Sequence, residues 1–131
     1  MKAITIWQPY AVAIRMGLKH YETRSWPTKY RGPIVIHAAQ KQPVAREREL
    51  IQKHKIPADK IEYGVPILVC EIEDCILITK DLIKTLSTTE IDFGNWCVGG
   101  YAWKLKIIKK LNGYNRISGQ QGMWNIELGK K

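Results

Sequence analysis

The 131-residue chain is 45% hydrophobic and carries 21 Lys plus Arg against 12 Asp plus Glu, a formal charge of +9. Such a composition excludes general disorder, and no apolar run approaches the ~18 residues that span a bilayer. The positive balance favours a polyanionic partner, because neutralising phosphates releases their counterions; it does not set the fold.

Ile4 and Ile6 alternate with Thr5 and Trp7, which predicts a first strand over 2–7. Pro9 suits a first helical turn, Tyr10–Met16 supplies a short apolar helix, and Gly17 is a good left-handed stop. So short a helix must pack on a sheet. Residues 19–24 read as a strand or strand edge, with Glu22 and Arg24 on one face and Tyr21 and Thr23 on the other. Ser25–Thr28 is a loop in which Trp26, preceding Pro27, is extended. Ile34-Val35-Ile36-His37 is a strand that Ala39–Pro43 ends. Residues 43–54 form a second helix that packs through Val44, Leu50, Ile51 and Glu47, its other charges making a solvated face. After a loop over 55–64 comes the longest strand, 65–75, where Glu71 continues the apolar face of Ile67 and Val69.

Thr79 caps a short helix through Leu86, and Ser87-Thr88-Thr89 reads as loop. Tyr101, Trp103, Leu105 and Ile107 alternate with Ala102, Lys104 and Lys106, a half-buried strand. Asn112-Gly113 marks a turn, Met123–Leu128 closes the sheet, and Lys130-Lys131 reads as a frayed end. With about five or six strands against two or three short helices, the fold class is mainly β with α, a small barrel or curled sheet with flanking helices. Length predicts one domain over 1–131. Met1-Lys2 leads straight into a patterned segment without a signal peptide, so a cytoplasmic location is expected, with no membrane partner. The three cysteines, Cys70, Cys75 and Cys97, lack ligand-like spacing, which argues against zinc and a disulfide scaffold.

Chemistry concentrates in 8–37. Lys19 and Arg31 can neutralise phosphate, and Arg24 can pair with Glu22 or grip a base or phosphate with its planar fork. Gln8 offers both a donor and an acceptor to a base edge. Glu22 is either a general base or the salt-bridge partner that fixes Arg24. Five tryptophans with nearby tyrosines invite base stacking. Trp103 and Trp124 sit in alternating strands and belong to the core. Trp26, flanked by Arg24 and Lys29, is the best exposed platform, and Trp7 stays undecided. His37 is either a satisfied core histidine or a base-contacting group. No zinc-binding histidine pattern, Gly-rich phosphate loop or nucleophile elbow occurs; a hydrated magnesium on Glu22 or Glu71 stays open.

The opening IxIWQPYA, the G-x-K-x-x-E-x-R run at Gly17, Lys19, Glu22 and Arg24, SWPTKYRG leading into IVIH, and the final YAW…GQQGMWN occur in that order over nearly the whole chain. Together they resemble the ASCH (activating signal cointegrator homology) family, a branch of the PUA-like superfamily. The resemblance implies a β-barrel of about six strands with helices beside it and a cleft between them that takes RNA or a modified nucleobase. It implies that Gln8, Lys19, Glu22, Arg24 and His37 line or support that cleft, with Trp26 and Lys29 on its rim.

Some members resemble metal-assisted ribonucleases on single-stranded RNA. In that case Lys19 would stabilise charge on the scissile phosphate and Glu22 would activate water or hold a divalent ion such as Mg. Another branch hydrolyses the amide of acetylated cytidine with a lysine, a threonine and a glutamate. Lys19 matches that lysine and Glu71 the glutamate, but Glu22 stands in the threonine's place. Binding of single-stranded RNA, another nucleic acid or a nucleoside without chemistry is therefore the leading reading, with a small hydrolase or an interaction barrel as alternatives. The deciding geometry is whether Lys19, Glu22 and Arg24 converge in an open cleft or Glu22 and Arg24 form a sealed pair.

Overall fold

A computed structural model describes residues 1–130. The first strand runs over Lys2–Ile6 (β1), and Pro9 caps the helix Tyr10–Arg15 (α1). Gly17 has φ 78° and ends that helix, while the amides of Leu18 and Lys19 return to the Ala13 carbonyl. The remaining strands are Tyr21–Arg24 (β2), Gly32–Ala38 (β3), Pro66–Leu77 (β4), Tyr101–Lys110 (β5) and Met123–Asn125 (β6). They form one six-stranded sheet in the order β2-β5-β4-β3-β1-β6.

β1 and β3 are parallel, and every other neighbouring pair is antiparallel. The connection between the parallel strands carries both α1 and β2, so it lays a helix against the sheet and sends β2 to the far edge. Register shifts between Val69/Cys70 and Ile72/Asp74, and between Ile36/His37, bend the strands and raise their twist. The sheet accordingly curls as a half-barrel, the architecture expected from the sequence.

Burial explains why α1 shows no polar stripe. Ala11 and Ile14 pack with Ile4, Ile36, Ile67 and Trp103 in the main core. Val12 and Ala13 pack on the opposite side with Leu50, Ile56 and Phe93. α1 is thus a wedge between the sheet and an outer layer, and no turn of it faces water for long. The outer layer includes Ala45–Lys53 (α2), which buries Glu47 and Leu50, Lys80–Lys84 (α3) and Thr88–Asp92 (α4). A separate cluster of Ala3, Val35, Val69, Leu111, Trp124 and Ile126 places the C-terminal segment in its own core.

Three local expectations change. Ser87-Thr88-Thr89 is a helix start: the Ser87 hydroxyl accepts the Glu90 amide at 3.1 Å, the Ser-x-x-Glu spacing of a capping box. Among the described residues this makes four short α-helices, beside a 3-10 turn at Ala58–Lys60. Val44, expected on the packed face, is 51% exposed, since it precedes α2. Ala102 is buried and Ile107 is exposed; Ile108 is the extra residue between the pairs Cys70–Ile107 and Val69–Lys109, and this bulge ends the simple alternation. Asn112-Gly113 turns as expected, with Gly113 at φ 73°, and the strands on either side of it lie at different places in the sheet. Lys131 lies outside the described residues.

Candidate functional site

Lys19 follows the α1 stop and Glu22 and Arg24 project from β2, so three charged side chains arrive together at the sheet's edge. The Lys19 ammonium is 2% exposed by residue, donates to the Phe93 carbonyl at 2.6 Å and lies 3.7 Å from Glu22 Oε1. Burial pushes its pKa below the ordinary lysine value, opposed by the charges of Glu22 and Glu90. The other Glu22 oxygen accepts from Arg24 Nε at 3.0 Å and faces Nη2 at 2.9 Å. Arg24 Nη2 also donates to the Thr5 carbonyl at 3.2 Å. These groups are not sealed from solvent. All three line a cleft of about 980 Å³ whose walls come from the end of β1, β2, the start of α2, segment 93–95 and loop 118–122.

Of the other expected site residues, Trp26 also lines the cleft. Its ring is half-buried, however, and meets Trp103 edge-on at a centroid distance of 4.8 Å, so it is part of the wall. The well-exposed indole is Trp7, 52% exposed and on the same cleft. Gln8 is 1% exposed; its oxygen accepts the Val12 amide at 2.9 Å and its nitrogen donates to the Glu62 carbonyl at 2.8 Å. Its amide therefore secures the cleft's frame. Lys29 is exposed and, like Arg31, Glu71 and His37, is not among the lining residues. Arg31 Nη1 donates to the Thr28 and Tyr30 carbonyls. Glu71 is half-buried in mid-β4 opposite Pro33 and Lys106.

His37 is 0% exposed and takes part in a fixed network. Its Nε2 faces the Ile117 carbonyl at 2.7 Å; a carbonyl only accepts, so Nε2 carries the proton. The Thr5 hydroxyl can then donate to Nδ1 at 3.2 Å while accepting from Trp124 Nε1 at 3.1 Å. Burial pushes this imidazole below its ordinary pKa. The unfolded chain therefore binds a proton that the folded chain refuses, and stability falls as pH drops through the ordinary histidine range. Unfolding midpoints at about pH 7.5 and about pH 5.5 should show a smaller acid loss in His37→Gln than in the parent chain. An unchanged difference would assign the acid sensitivity to other groups.

Cleft residues without a signal in the local pattern are Arg46, Gln40 and Asn95, together with Gln120 and Gln121. Arg46 looks like any charge on a solvated helix face. The loop bearing Gln120 and Gln121 is pressed close to the frame: a Cβ on Gly119 would come within 2.7 Å of Thr5 Oγ1 and 3.2 Å of the His37 ring.

The ASCH domain family profile matches residues 4–119. The chain belongs to the ASCH domain family. No curated protein matches it. In this ASCH domain the family match takes in the end of β1, α1 and the whole Lys19–Glu22–Arg24 cluster, whereas Gln120, Gln121 and β6 lie beyond it. A divalent ion does not fit the cluster. Glu22 already faces two cationic side chains, and among the described residues no three His, Cys, Asp or Glu groups converge on a point that could hold a metal. Thr23, expected on the opposite face from Glu22, also lines the cleft, because β2 is an edge strand; its hydroxyl accepts the Asn95 amide at 3.0 Å.

Proposed function

We propose that this ASCH domain binds single-stranded nucleic acid, RNA foremost, with a nucleotide held in the cleft between the curled sheet and the helices. The observation that carries the reading is the place of Arg24 in the cleft lining, with part of its guanidinium already committed. Glu22 and the Thr5 carbonyl take Nε and Nη2, which keeps the two donors of Nη1 for an anionic oxygen in the cleft. Arg46 adds a second positive group from the start of α2. The volume, near the upper end of the ~300–1,000 Å³ range of small-ligand pockets, gives room for more than one nucleotide unit.

The test is a titration of short single-stranded RNA at several salt concentrations. Two or three phosphate contacts predict a slope of log affinity against log salt of about −1.4 to −2.1. Duplex RNA should bind more weakly, since its bases are not free to enter the cleft. Absence of binding by any oligonucleotide or nucleoside at low salt would remove this reading.

A hydrolytic reading of the same cleft draws on Lys19, whose amine is held below its ordinary pKa beside Glu22 and on the same cleft as the Thr23 hydroxyl. A neutral amine within hydrogen-bond reach of that hydroxyl would take its proton. Incubation with acetylated cytidine separates the two readings, since binding alone releases no acetate.

A further inference from the structure

We propose that Trp7 is a stacking platform for one unstacked base at the mouth of the cleft, and that Lys41 holds the platform until that base arrives. The inference rests on the nucleic-acid reading and assigns it a subsite. Trp7 stands just past β1, where its indole could have folded inward beside Ile6 or Tyr10. It is instead 52% exposed and lines the cleft. The Lys41 ammonium lies 4.3 Å from its ring centroid, an arrangement in which the ring's negative face already attracts a positive partner.

The backbone beneath this ring is held from both directions. The Ala39 amide donates to the Ile6 carbonyl at 2.9 Å and the Ala11 amide to the Trp7 carbonyl at 3.0 Å. Next in sequence, buried Gln8 is fixed through both ends of its amide. An exposed indole on a hydrogen-bonded backbone loses less freedom when a ligand lands on it than one on an untethered loop, which suits a platform. Trp26 lacks this freedom of access, because its half-buried ring is packed against Trp103.

Partners for the rest of a nucleotide lie close by. β6 runs antiparallel to β1 with Met123 opposite Ile4, so residues 120–122 lead back alongside Thr5–Trp7. Gln120 and Gln121, both exposed, line the same cleft and can offer a donor and an acceptor to a base edge. Lys41, displaced by the incoming base, becomes available to a backbone phosphate. The ligand class is thus a single strand carrying a free base face; a duplex, whose bases are stacked on one another, cannot use the platform.

The test measures the affinity of the full chain for a fluorescent single-stranded RNA hexamer and for the same strand made abasic. Trp7→Ala should weaken binding of the normal strand about tenfold, while Trp7→Phe keeps most of it. On the abasic strand parent and Trp7→Ala should bind alike, because nothing remains to stack. Trp7→Leu, which keeps apolar bulk, guards against a folding defect and should behave as Trp7→Ala. Lys41→Ala should reduce the salt slope by about 0.7. If the parent chain binds the normal strand and Trp7→Ala binds equally well, or loses as much on the abasic strand, the platform is overturned while the nucleic-acid reading stands. If the parent chain binds neither strand at low salt, both fall together.

Discussion

Glu22→Ala is expected to destabilise the fold by about 3–5 kcal/mol, the range for breaking a buried ion pair from one side. Glu22 is 9% exposed and the only carboxylate within 4 Å of either Lys19 or Arg24 among the described residues. Its removal leaves a buried ammonium whose remaining close partner is a single carbonyl, Phe93. The ammonium would respond by shedding its proton more readily, since Glu22 is among the charges that hold its pKa up against burial. A depressed lysine pKa means that the folded chain releases a proton the unfolded chain still binds. Stability in Glu22→Ala should therefore rise with pH toward the ordinary lysine range, more steeply than in the parent. Denaturant midpoints across that range give both quantities. Lys19→Met combined with Glu22→Leu provides the control: no buried ammonium is left unpaired, Arg24 is part-exposed and keeps the Thr5 carbonyl, and part of the loss should be recovered. A single Glu22→Ala variant as stable as the parent would mean that water reaches Lys19.

How far such a cluster could be read from sequence depends on which contacts are local. β1, α1 with its Gly17 stop, β3 and β4 carry their signals within a few residues, through alternation, an apolar turn and a glycine. Trp103 and Trp124 declare themselves as core by the same alternation. The Lys19–Glu22–Arg24 group was legible because one short segment supplies all three side chains. Trp26, expected as the exposed platform, and Trp7, left undecided, show the opposite case. Trp26 sits in a Pro-containing loop and so reads as exposed, yet its packing partner is Trp103, 77 residues away. Trp7 continues a buried strand pattern but lies past the strand's last pairing, Ile6 with Ala38. Glu71 illustrates a further limit. An acid in an apolar run looks catalytic, but the run's faces are set by which strands flank β4, and those flanks put Glu71 opposite Lys106 rather than at the cleft. Arg46, Gln40 and Asn95 reach the cleft only because separate segments meet there, and no spacing rule within one segment could find them.

Arg24→Ala is the substitution expected to cost binding most, by at least about tenfold, while lowering stability less than Glu22→Ala does. The two effects separate because the two residues differ in burial. The Arg24 side chain is 23% exposed against 11% for Glu22, so removing it admits water and leaves Glu22 paired with Lys19. What is lost is the Nη1 donor pair that Glu22 and the Thr5 carbonyl leave uncommitted. Arg24→Lys should recover little of the affinity: one ammonium can meet Glu22 or an incoming phosphate, whereas the guanidinium meets both through different nitrogens. Arg31→Ala supplies the contrast. Arg31 is exposed, tied to two loop carbonyls and 3.7 Å from Asp74, outside the cleft. Its removal subtracts the same formal charge but should leave affinity within about twofold, as for other exposed pairs. If the two alanine variants weaken binding equally, net charge and not the geometry at β2 governs association. If Arg24→Ala alone loses it, the guanidinium held by Glu22 is the contact that fixes the ligand.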